Sequence, residues 1–579
     1  MWLGDGGRVD YASIKNFFLL DTNDRVVFTG PVFLRLSADS VYHNNIMFGP
    51  DNFNKTHVYS FNFSDFADTG QYRVWIPGVG VSFSFNLAGN IYEQAFKLQM
   101  KGYYHQRSGI AMELPHTAYR RPRNQHPADG QIVYSCNKTL FFCDSINGNE
   151  PTYANPFNRI ANSIILDSNN PNAWGGWMDA ADYDRRFQHF VAVHAFLELF
   201  EAHTSYFEKV DLNIPESNNH IPDILDEALW CMNLFLRTQT AEGEIAYGIE
   251  SVAHPNAGES SWNESLPLAL VPGCPGIAYL YAATAARLSV ALKMYDNVLS
   301  EKYLESANKA CAWAESNLNN PLYKNAMPIT QSVRFDLAVF MFEATSAQKW
   351  KDRANHLATE IAGSGSFFVN QDTYRGVTKF LALSNKEMAA NKQTVKSLKQ
   401  KLVQKADSLL LWGTKLAYGE FEDFSYNCWI AILYNSGVLV NAFSLLQEER
   451  YLNQVVEAGH FGMGANPLNA SLTTGLGERF VYQWDDEAIC ANQYFATGIP
   501  VYGPFPYYNN RLLPENDFFW DQKKEKLYNP ALYPKVNEWP MRETYFELMK
   551  FPAMNEFTIM QNMADQAYRW GWLAAFYKY

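Results

Sequence analysis

Two different periodicities of hydrophobic residues divide the chain near residue 90. Up to that point, short segments rich in aromatic and β-branched residues alternate with polar positions between turn residues, which is typical of strands. From Tyr92 onward, apolar residues recur every three or four positions, as in 186–203, which is typical of amphipathic helices. The pattern predicts a small all-β domain over residues 1–89 and an all-α domain over residues 90–579.

The first domain contains five segments predicted as strands: 26–30, 32–36, 57–63, 72–76 and 81–87. Tyr72 follows the turn residues 68–71, a placement typical of the tyrosine corner of immunoglobulin-like sandwiches, in which the hydroxyl binds nearby backbone. We therefore expect a small immunoglobulin-like β-sandwich that ends at residues 88–90.

The second domain contains many amphipathic segments that follow one another in pairs. They lie at 186–203, 223–239, 276–296, 301–317, 332–347, 349–362, 392–411, 426–447, 450–463 and 560–577. Such pairs suit an open solenoid or a closed ring of helical hairpins. The sequence has no repeat of fixed period, so a closed double ring is favoured. Two long segments, 110–175 and 465–555, interrupt the helical pattern and are predicted to form the walls of a cleft.

Composition and charge narrow the classes of function. The aromatic content of 15% suits either a large core or a cleft that stacks on sugar rings. The net charge of −13 argues against a nucleic-acid partner, since phosphates are bound by clustered Lys and Arg. No apolar run is long enough for a membrane span. The seven cysteines form no CxxC pair, so neither a disulfide framework nor a zinc ribbon is predicted.

The first stretch with chemical potential is 174–186, in which Asp179 and Asp182 lie three residues apart at the predicted start of a helix. This spacing places both carboxylates on one helix face, close enough to hold one water molecule. The positive end of the helix dipole would keep them ionised. The alternative is that one of them only caps the helix.

The second stretch lies near the C-terminus, where Asn555 and Glu556 precede apolar residues at the start of another predicted helix. A glutamate in such surroundings is favoured in its protonated form and could act as a general acid. The alternative is an ordinary carboxylate at a helix N-terminus.

Three motifs in register together resemble those of glycoside hydrolase family 9. Its GGW-x-DAGD signature corresponds to residues 175–182, with Ala181 at the usual glycine. Its NE-x-A-x-x-x-N element is similar to residues 555–562, with Thr558 at the usual alanine, and a third element corresponds to residues 464–477. The bacterial branch of this family has an immunoglobulin-like domain before an (α/α)6 barrel, so the resemblance implies that architecture here.

The resemblance also implies roles for the three carboxyl groups. Asp182 corresponds to the general base, Asp179 to the carboxylate that orients the attacking water, and Glu556 to the general acid. Such an enzyme inverts the anomeric configuration, with acid and base roughly 6.5–9.5 Å apart. The reaction itself requires no cofactor.

The sequence departs from the family's cellulases after the third motif. These carry a PHHR-type element there, whereas residues 477–487 contain no histidine and include Trp484, Asp485 and Asp486. A carboxylate in the site would bind the ammonium group of a 2-amino sugar, although these acids could equally form a solvated loop. On this basis the chain resembles the exo-β-D-glucosaminidases of marine vibrios, which release glucosamine from chitosan oligosaccharides. The predicted substrate contacts are Trp174, Trp177, Tyr183, Trp484, Asp485, Asp486 and Asn555.

A second departure concerns metals. Some bacterial members use the cysteine of an Arg-Cys-Gly element to bind structural zinc, but here Ser108 follows Arg107. Without the thiolate, zinc is not expected at this position. Some relatives bind structural calcium, which the sequence leaves open because it contains no compact calcium loop. No metal ligand is predicted.

The leading hypothesis is therefore an exo-β-glucosaminidase that acts on an oligosaccharide, with no nucleic-acid or membrane partner. The alternative within the family is an endo-β-1,4-glucanase or cellodextrinase. An alternative from another class is a carbohydrate-binding protein without catalysis, against which the presence of all three carboxyl groups argues. No secretory signal is visible, so a cytoplasmic location is expected. The sequence does not predict the oligomeric state.

Overall fold

The computed structural model describes most of the helical region and most of the strands before it. The described residues are 11–41, 52, 54–138, 155–179, 183–253, 255–256, 258–324, 326–327, 329–365, 374–384, 387–419, 436–482, 496–500, 540, 543 and 561–578. Among the helices of these ranges, none is long and apolar enough to cross a membrane.

Six antiparallel strands form the N-terminal β region. They are β1 (Asn16–Leu20), β2 (Val26–Leu36), β3 (Val58–Phe61), β4 (Gly70–Ile76), β5 (Gly80–Val81) and β6 (Phe85–Leu87). Their order is β3-β2-β1-β4-β5, and β6 also pairs with β4. The sequence analysis expected two strands where β2 is one continuous strand, and it missed β1.

Strand β2 is long because its two halves have different partners. Its first half pairs with β1, where Gly30 lies opposite Phe17, and its second half pairs with β3. Phe17, Leu19 and Val74 are buried in a small core of their own. Tyr72 is also buried, and its hydroxyl lies 3.5 Å from the carbonyl oxygen of Thr69. The tyrosine therefore turns back toward nearby backbone, as predicted.

Fourteen helices lie in the described residues after the β region. They are α1 (Ile91–His105), α2 (Asn155–Ser163), α3 (Phe190–Ala202), α4 (Thr204–Phe207), α5 (Asp223–Thr238), α6 (Pro275–Leu292), α7 (Asn297–Asn317), α8 (Gln331–Thr345), α9 (Gln348–Gly363), α10 (Tyr374–Leu383), α11 (Lys392–Lys415), α12 (Ser436–Leu446), α13 (Glu449–Gly462) and α14 (Gln561–Tyr577). Consecutive helices pack as hairpins, as α6 does with α7 and α12 with α13.

Six helices meet around a shared polar network. The carboxylate of Glu198 on α3 accepts hydrogen bonds from Tyr374 on α10 (2.7 Å), Asn441 on α12 (3.0 Å) and Tyr568 on α14 (2.9 Å). One turn further along α3, Glu201 is bound by side chains of α6 and α10, and α10 in turn reaches α8. Helices α3, α6, α8, α10, α12 and α14 therefore contribute to one interior.

A second, smaller sheet covers the helix ends near the 174–186 stretch. Its strands are β7 (Val133–Cys136), β8 (Ile164–Ile165), β9 (Arg185–Arg186), β10 (Gly248–Ser251) and β11 (Leu268–Val271). Their order is β8-β7-β11-β10-β9, with β7 and β11 parallel. The predicted cleft-wall segment 110–175 thus contains two strands of a sheet that the sequence analysis did not predict.

Candidate active site

The loop that carries Asp179 is shaped by two glycines. Gly175 and Gly176 have φ angles of +81° and +76°, a backbone region that other residues rarely adopt. The carbonyl oxygen of Gly176 accepts hydrogen bonds from the Trp230 indole (3.0 Å) and the Ser108 amide (2.9 Å). The two glycines therefore let the chain turn tightly against α5.

The next residue, Trp177, lies entirely in the interior. Its indole nitrogen donates to the Glu227 carboxylate at 2.7 Å, and Arg107 binds the same carboxylate. The Trp177 ring packs against Tyr103 and Phe196 with no exposed surface. Such a ring cannot stack on a sugar, so this predicted substrate contact is corrected to a supporting position beneath the loop.

The other two predicted aromatic contacts of this stretch differ in exposure. Tyr183 is buried and donates a hydrogen bond to the Glu259 carbonyl oxygen at 3.1 Å, so it too supports the loop. Trp174 is partly exposed, with the Arg237 guanidinium 3.9 Å from its ring centroid and the His126 ring beside it. Of the three, Trp174 alone keeps surface that a substrate could contact.

Asp179 does not lie at a helix start, which corrects the prediction. Its amide donates to the Asp184 carbonyl oxygen at 2.7 Å, and the two residues form an isolated antiparallel bridge. Tyr183, just before Asp184, has a positive φ of 58°, which a helix does not contain. A 3₁₀ turn at Phe187–His189 follows, and α3 begins only at Phe190. The helix dipole acts mainly within the first turn, so it is not what holds Asp179.

The charge next to Asp179 comes from side chains instead. The Arg186 guanidinium contacts Asp179 (Nη1 to Oδ2, 3.2 Å), Asp184 (Nη2 to Oδ2, 2.5 Å) and Glu250 (Nε to Oε1, 2.6 Å). His189 Nε2 lies 3.7 Å from Asp179 Oδ1. Asp179 is almost fully buried, and a positive charge such as that of Arg186 stabilises a buried carboxylate. The sequence analysis assigned no role to Arg186, although it lies four residues after Asp182 in the same stretch, and no sequence pattern pointed to Glu250.

A second buried network lies behind the loop, around Ser108. The Ser108 hydroxyl lies 3.3 Å from the Gln125 amide oxygen, which also accepts a hydrogen bond from Arg185. The Gln125 amide nitrogen donates to Glu264 at 2.7 Å. Burial lowers the pKa of Arg185 to about 10 and raises the pKa of Glu264. Among the described residues, no group of three or more His, Cys, Asp or Glu side chains is arranged to hold a metal.

The third sequence motif folds against the C-terminal helix. Thr473 donates a hydrogen bond to Gln566 on α14 (3.2 Å). Thr474 donates to the Ala496 carbonyl oxygen (2.7 Å) and accepts a hydrogen bond from the Ile499 amide (2.9 Å). This motif therefore contacts both α14 and the segment that follows residues 483–495.

Six predicted site residues lie outside the described residues: Asp182, Trp484, Asp485, Asp486, Asn555 and Glu556. Their predicted roles and the predicted acid–base separation therefore stay predictions. The elements next to them are described, since α3 follows the Asp179 loop and α14 begins five residues after Glu556.

Helices α3 and α14 lie side by side and run in the same direction. Tyr568 on α14 contacts Glu198 on α3, and further along both helices the Trp572 ring meets His203 at a centroid distance of 5.8 Å. Where α14 packs against α3, a β-carbon added at Gly571 would lie 2.7 Å from the Leu199 side chain. The N-terminal ends of both helices therefore open toward the same end of the helical region.

Comparison with known proteins identifies similar sequences over most of the chain. A family model described as glycosyl hydrolase family 9 matches residues 92–533. Endoglucanase D of Acetivibrio thermocellus is 24% identical over 479 residues, which cover 80% of this chain and 70% of that protein. A xyloglucan-specific endo-β-1,4-glucanase of Bacteroides ovatus is 22% identical over 448 residues, covering 72% and 71%.

Solved structures resemble the chain over nearly its whole length. The family 9 endoglucanase J30 superposes with a TM-score of 0.75 at 16% identity, covering 98% of this chain and 97% of that one. A metagenome-derived family 9 endoglucanase superposes with a TM-score of 0.73 at 18% identity, covering 97% and 92%. At these identities the likeness establishes the fold.

Proposed function

Since the chain belongs to glycosyl hydrolase family 9 and is a glycoside hydrolase, we propose that it cleaves β-1,4-linked glucan chains at internal bonds. The observation that carries this proposal is the similarity to an endoglucanase over 80% of the chain. A second relative, named as specific for xyloglucan, also acts on a β-1,4-glucan backbone by its name. A neutral glucan is therefore the proposed substrate.

The proposed endoglucanase activity is the alternative given in the sequence analysis, and it replaces the exo-glucosaminidase hypothesis. The exo-glucosaminidase hypothesis rested on Asp485 and Asp486, which lie outside the described residues. The relatives reported above are named as glucanases, and neither name refers to an amino sugar. Chitosan oligosaccharides therefore serve as the comparison substrate in the test below.

The proposed mechanism is inverting hydrolysis by two carboxyl groups. Glu556 protonates the oxygen of the leaving sugar, while Asp182 removes a proton from water on the opposite face of the ring and Asp179 orients that water. The ionic surroundings of the buried Asp179 support its part in this scheme. The shared direction of α3 and α14 supports the approach of Glu556, since the two helices begin close in sequence to the two halves of the site. Both proton transfers use protein carboxyls, so we propose that catalysis needs no cofactor and that any bound calcium is structural.

The proposed architecture is an immunoglobulin-like sandwich over residues 1–89 followed by a closed (α/α)6 barrel over residues 90–579. Support for the sandwich comes from the two partners of β2, the separate aromatic core and the buried Tyr72. Support for the barrel comes from the alternation of helices, since α3, α6, α8, α10, α12 and α14 share one polar interior. Helices α1, α5, α7, α9, α11 and α13 then form the second layer.

The function is tested by assaying the purified chain on cellopentaose, xyloglucan oligosaccharides and chitopentaose with free amino groups. We expect turnover of a neutral glucan with internal cleavage, and a product whose anomeric configuration, followed by proton NMR, is inverted. Release of glucosamine without turnover of either glucan would overturn the endoglucanase proposal in favour of the amino-sugar hypothesis.

The roles of the carboxyl groups are tested by Glu556→Gln, Asp182→Asn and Asp179→Asn. We expect kcat to fall about 10²–10⁴-fold for the acid and the base, the range typical of lost proton transfer, with smaller changes in substrate affinity. Glu242→Gln, at an exposed position, is the control and should keep full activity. A Glu556→Gln variant that turns over at the unsubstituted rate would contradict the assignment of the acid.

A further inference from the structure

The Arg186 guanidinium and a backbone hydrogen bond connect the Asp179 loop to strand β10 of the second sheet. Arg186 lies on β9, opposite Gly248 of β10, and its side chain binds Glu250 on β10 with both Nε (2.6 Å) and Nη2 (3.1 Å). The Ser251 amide of β10 donates to Asp184 Oδ1 at 3.0 Å. Strand β10 therefore holds both Arg186 and Asp184 in place.

The same guanidinium reaches back to Asp179. Its Nη1 lies 3.2 Å from Asp179 Oδ2, while Nη2 lies 2.5 Å from Asp184 Oδ2. The side chains of Asp179, Asp184 and Glu250 are at most 7% exposed, and that of Arg186 is 20% exposed. At such burial, charge–charge interactions are much stronger than in water. The planar fork of an arginine can hold several carboxylate oxygens in fixed directions, which a lysine cannot do.

Within the described part of the chain, the Arg186 guanidinium contacts three carboxylates, and the buried Arg185 also interacts electrostatically with two of them, Asp184 and Glu250. The described groups that face Asp179 are Arg186 from β9 and His189 from the 3₁₀ turn, and behind Arg186 stand Asp184 and Glu250. Arg186 orients Asp179 and favours its ionised form. Because Glu250 and Asp184 also bind the guanidinium, its positive charge does not fully neutralise Asp179. A carboxylate held in this way keeps enough negative charge to bind a polarised water molecule.

We propose that Arg186 is the positioning residue for Asp179, and that Glu250 sets how strongly Arg186 acts on it. This proposal rests on the proposed glycoside hydrolysis, in which Asp179 orients the attacking water. Arg186 acts through Asp179 and through the bridge that closes the loop at Asp184.

The test compares Arg186→Gln, Arg186→Lys and Glu250→Gln with the unsubstituted chain. For Arg186→Gln we expect kcat on the preferred glucan to fall about 10–100-fold with KM changed less than about threefold. The acid limb of its pH–rate profile should move to higher pH, because the ionised carboxylate has lost its cation. Arg186→Lys keeps the charge but loses the fork, so kcat should fall with a smaller shift of that limb.

Glu250→Gln separates positioning from a merely structural role. Removal of one competing carboxylate leaves more of the Arg186 charge to Asp179, so the acid limb should move to lower pH, opposite to Arg186→Gln. Loss of packing alone predicts no such opposite shifts. Arg353→Gln, which removes a more exposed ion pair with Glu315 between α9 and α7, is the control and should leave the profile unchanged.

The outcomes distinguish this proposal from the proposed function. An unsubstituted chain that turns over none of the glycans overturns the function and this role with it. An active chain in which Arg186→Gln and Arg186→Lys keep kcat within twofold, or in which Arg186 and Glu250 variants shift the acid limb in the same direction, overturns the positioning role only. If Arg186→Gln does not fold, as judged by circular dichroism, the Arg186→Lys and Glu250→Gln profiles decide the question by the same criteria.

Discussion

One carboxyl group in the first turn of α5, that of Asp226, stays protonated to a much higher pH than an ordinary aspartate. Burial raises the pKa of Asp226 to about 7. The Asn219 amide nitrogen lies 3.2 Å and 3.1 Å from the two carboxyl oxygens of Asp226. This hydrogen bonding lowers the pKa, but by less than burial raises it. The next residue, Glu227, holds both Trp177 and Arg107, so Asp226 lies beside the support of the Asp179 loop.

The sign of this shift predicts how stability depends on pH. The folded-state pKa is raised above the unfolded value, so the contribution of Asp226 is fully present below about pH 4 and is lost as the pH rises through 7. Asp226→Asn cannot ionise. At pH 8 we expect it to be more stable than the unsubstituted chain by on the order of 2–4 kcal/mol, and at pH 5 by much less. Urea unfolding at both pH values measures this. Parallel stability curves would contradict it, and Asp352→Asn at an exposed position is the control.

Residues of the Asp179 loop illustrate what could and could not be predicted from the sequence. The spacing of Asp179 and Asp182 suggested a helix face, but the same spacing also fits a tight loop closed by a backbone bridge. Trp177 was predicted to contact substrate as an aromatic residue of the motif, since sugar-binding clefts are rich in aromatic rings. Its buried partner Glu227 lies fifty residues away in sequence, and no local pattern reveals such a contact.

At the scale of elements, α1 and the segment 496–500 approach each other through two glycines. A side chain at Gly102 would lie 2.1 Å from the Gly498 carbonyl oxygen, and one at Gly498 would meet the α1 backbone. That carbonyl oxygen accepts a hydrogen bond from Gln99 (2.7 Å), and the Gly498 amide donates to Thr474 (2.8 Å). The contact is backbone against backbone, so neither partner can yield by a side-chain rotation.

We therefore expect Gly102→Ala to destabilise the fold. Alanine in place of glycine within a helix would otherwise stabilise it by up to about 1 kcal/mol, but the clash should outweigh this gain and cost about 1–3 kcal/mol net. The measurement is the melting temperature by differential scanning calorimetry. Gly89→Ala, at a position with no atom within 4 Å of the added carbon, is the control and should not lower it. A Gly102→Ala chain as stable as this control would be inconsistent with the close approach.

Several long helices were predicted from the sequence to within a few residues, although α1 was not among the predicted segments, and the short strands of the second sheet were missed. The segments 223–239 and 349–362 agree closely with α5 and α9, because each has an amphipathic period over many residues. The second sheet was missed since its strands span two to four residues and pair across long separations, as Val133 of β7 does with Leu268 of β11. Their stability comes from tertiary pairing, which local periodicity does not record.

At the scale of the whole molecule, the interior of the helical region is charged rather than purely apolar. On α3, Glu201 binds Arg287 of α6 (2.6 Å) and Lys379 of α10 (2.7 Å), and Lys379 also binds Glu343 of α8 (2.9 Å). Burial alone would raise the pKa of Glu201, but the charges of Arg287 and Lys379 outweigh it and lower the pKa to about 2. Glu201 therefore joins α3 to α6 and α10, and Lys379 extends the network to Glu343 on α8.

Replacement of Glu201 should weaken the packing of α3 against both α6 and α10, and not that of one hairpin alone. In Glu201→Gln, the buried Arg287 and the partly buried Lys379 lose their carboxylate. Breaking a fully buried pair costs about 3–5 kcal/mol, and because the Glu201 side chain is 25% exposed, the cost here should lie at or below the lower end of that range. The folded-state pKa of Glu201 is lowered, so its contribution is present above about pH 4.5 and is lost as the pH falls toward 2. The loss in urea unfolding should therefore be full at pH 7 and smaller at pH 3. The surface pair Glu305–Lys309 supplies the control, since Glu305→Gln should cost less than about 1 kcal/mol. Equal effects of the two substitutions at pH 7 would mean that the Glu201 network does not join α3, α6 and α10 into one cooperative unit.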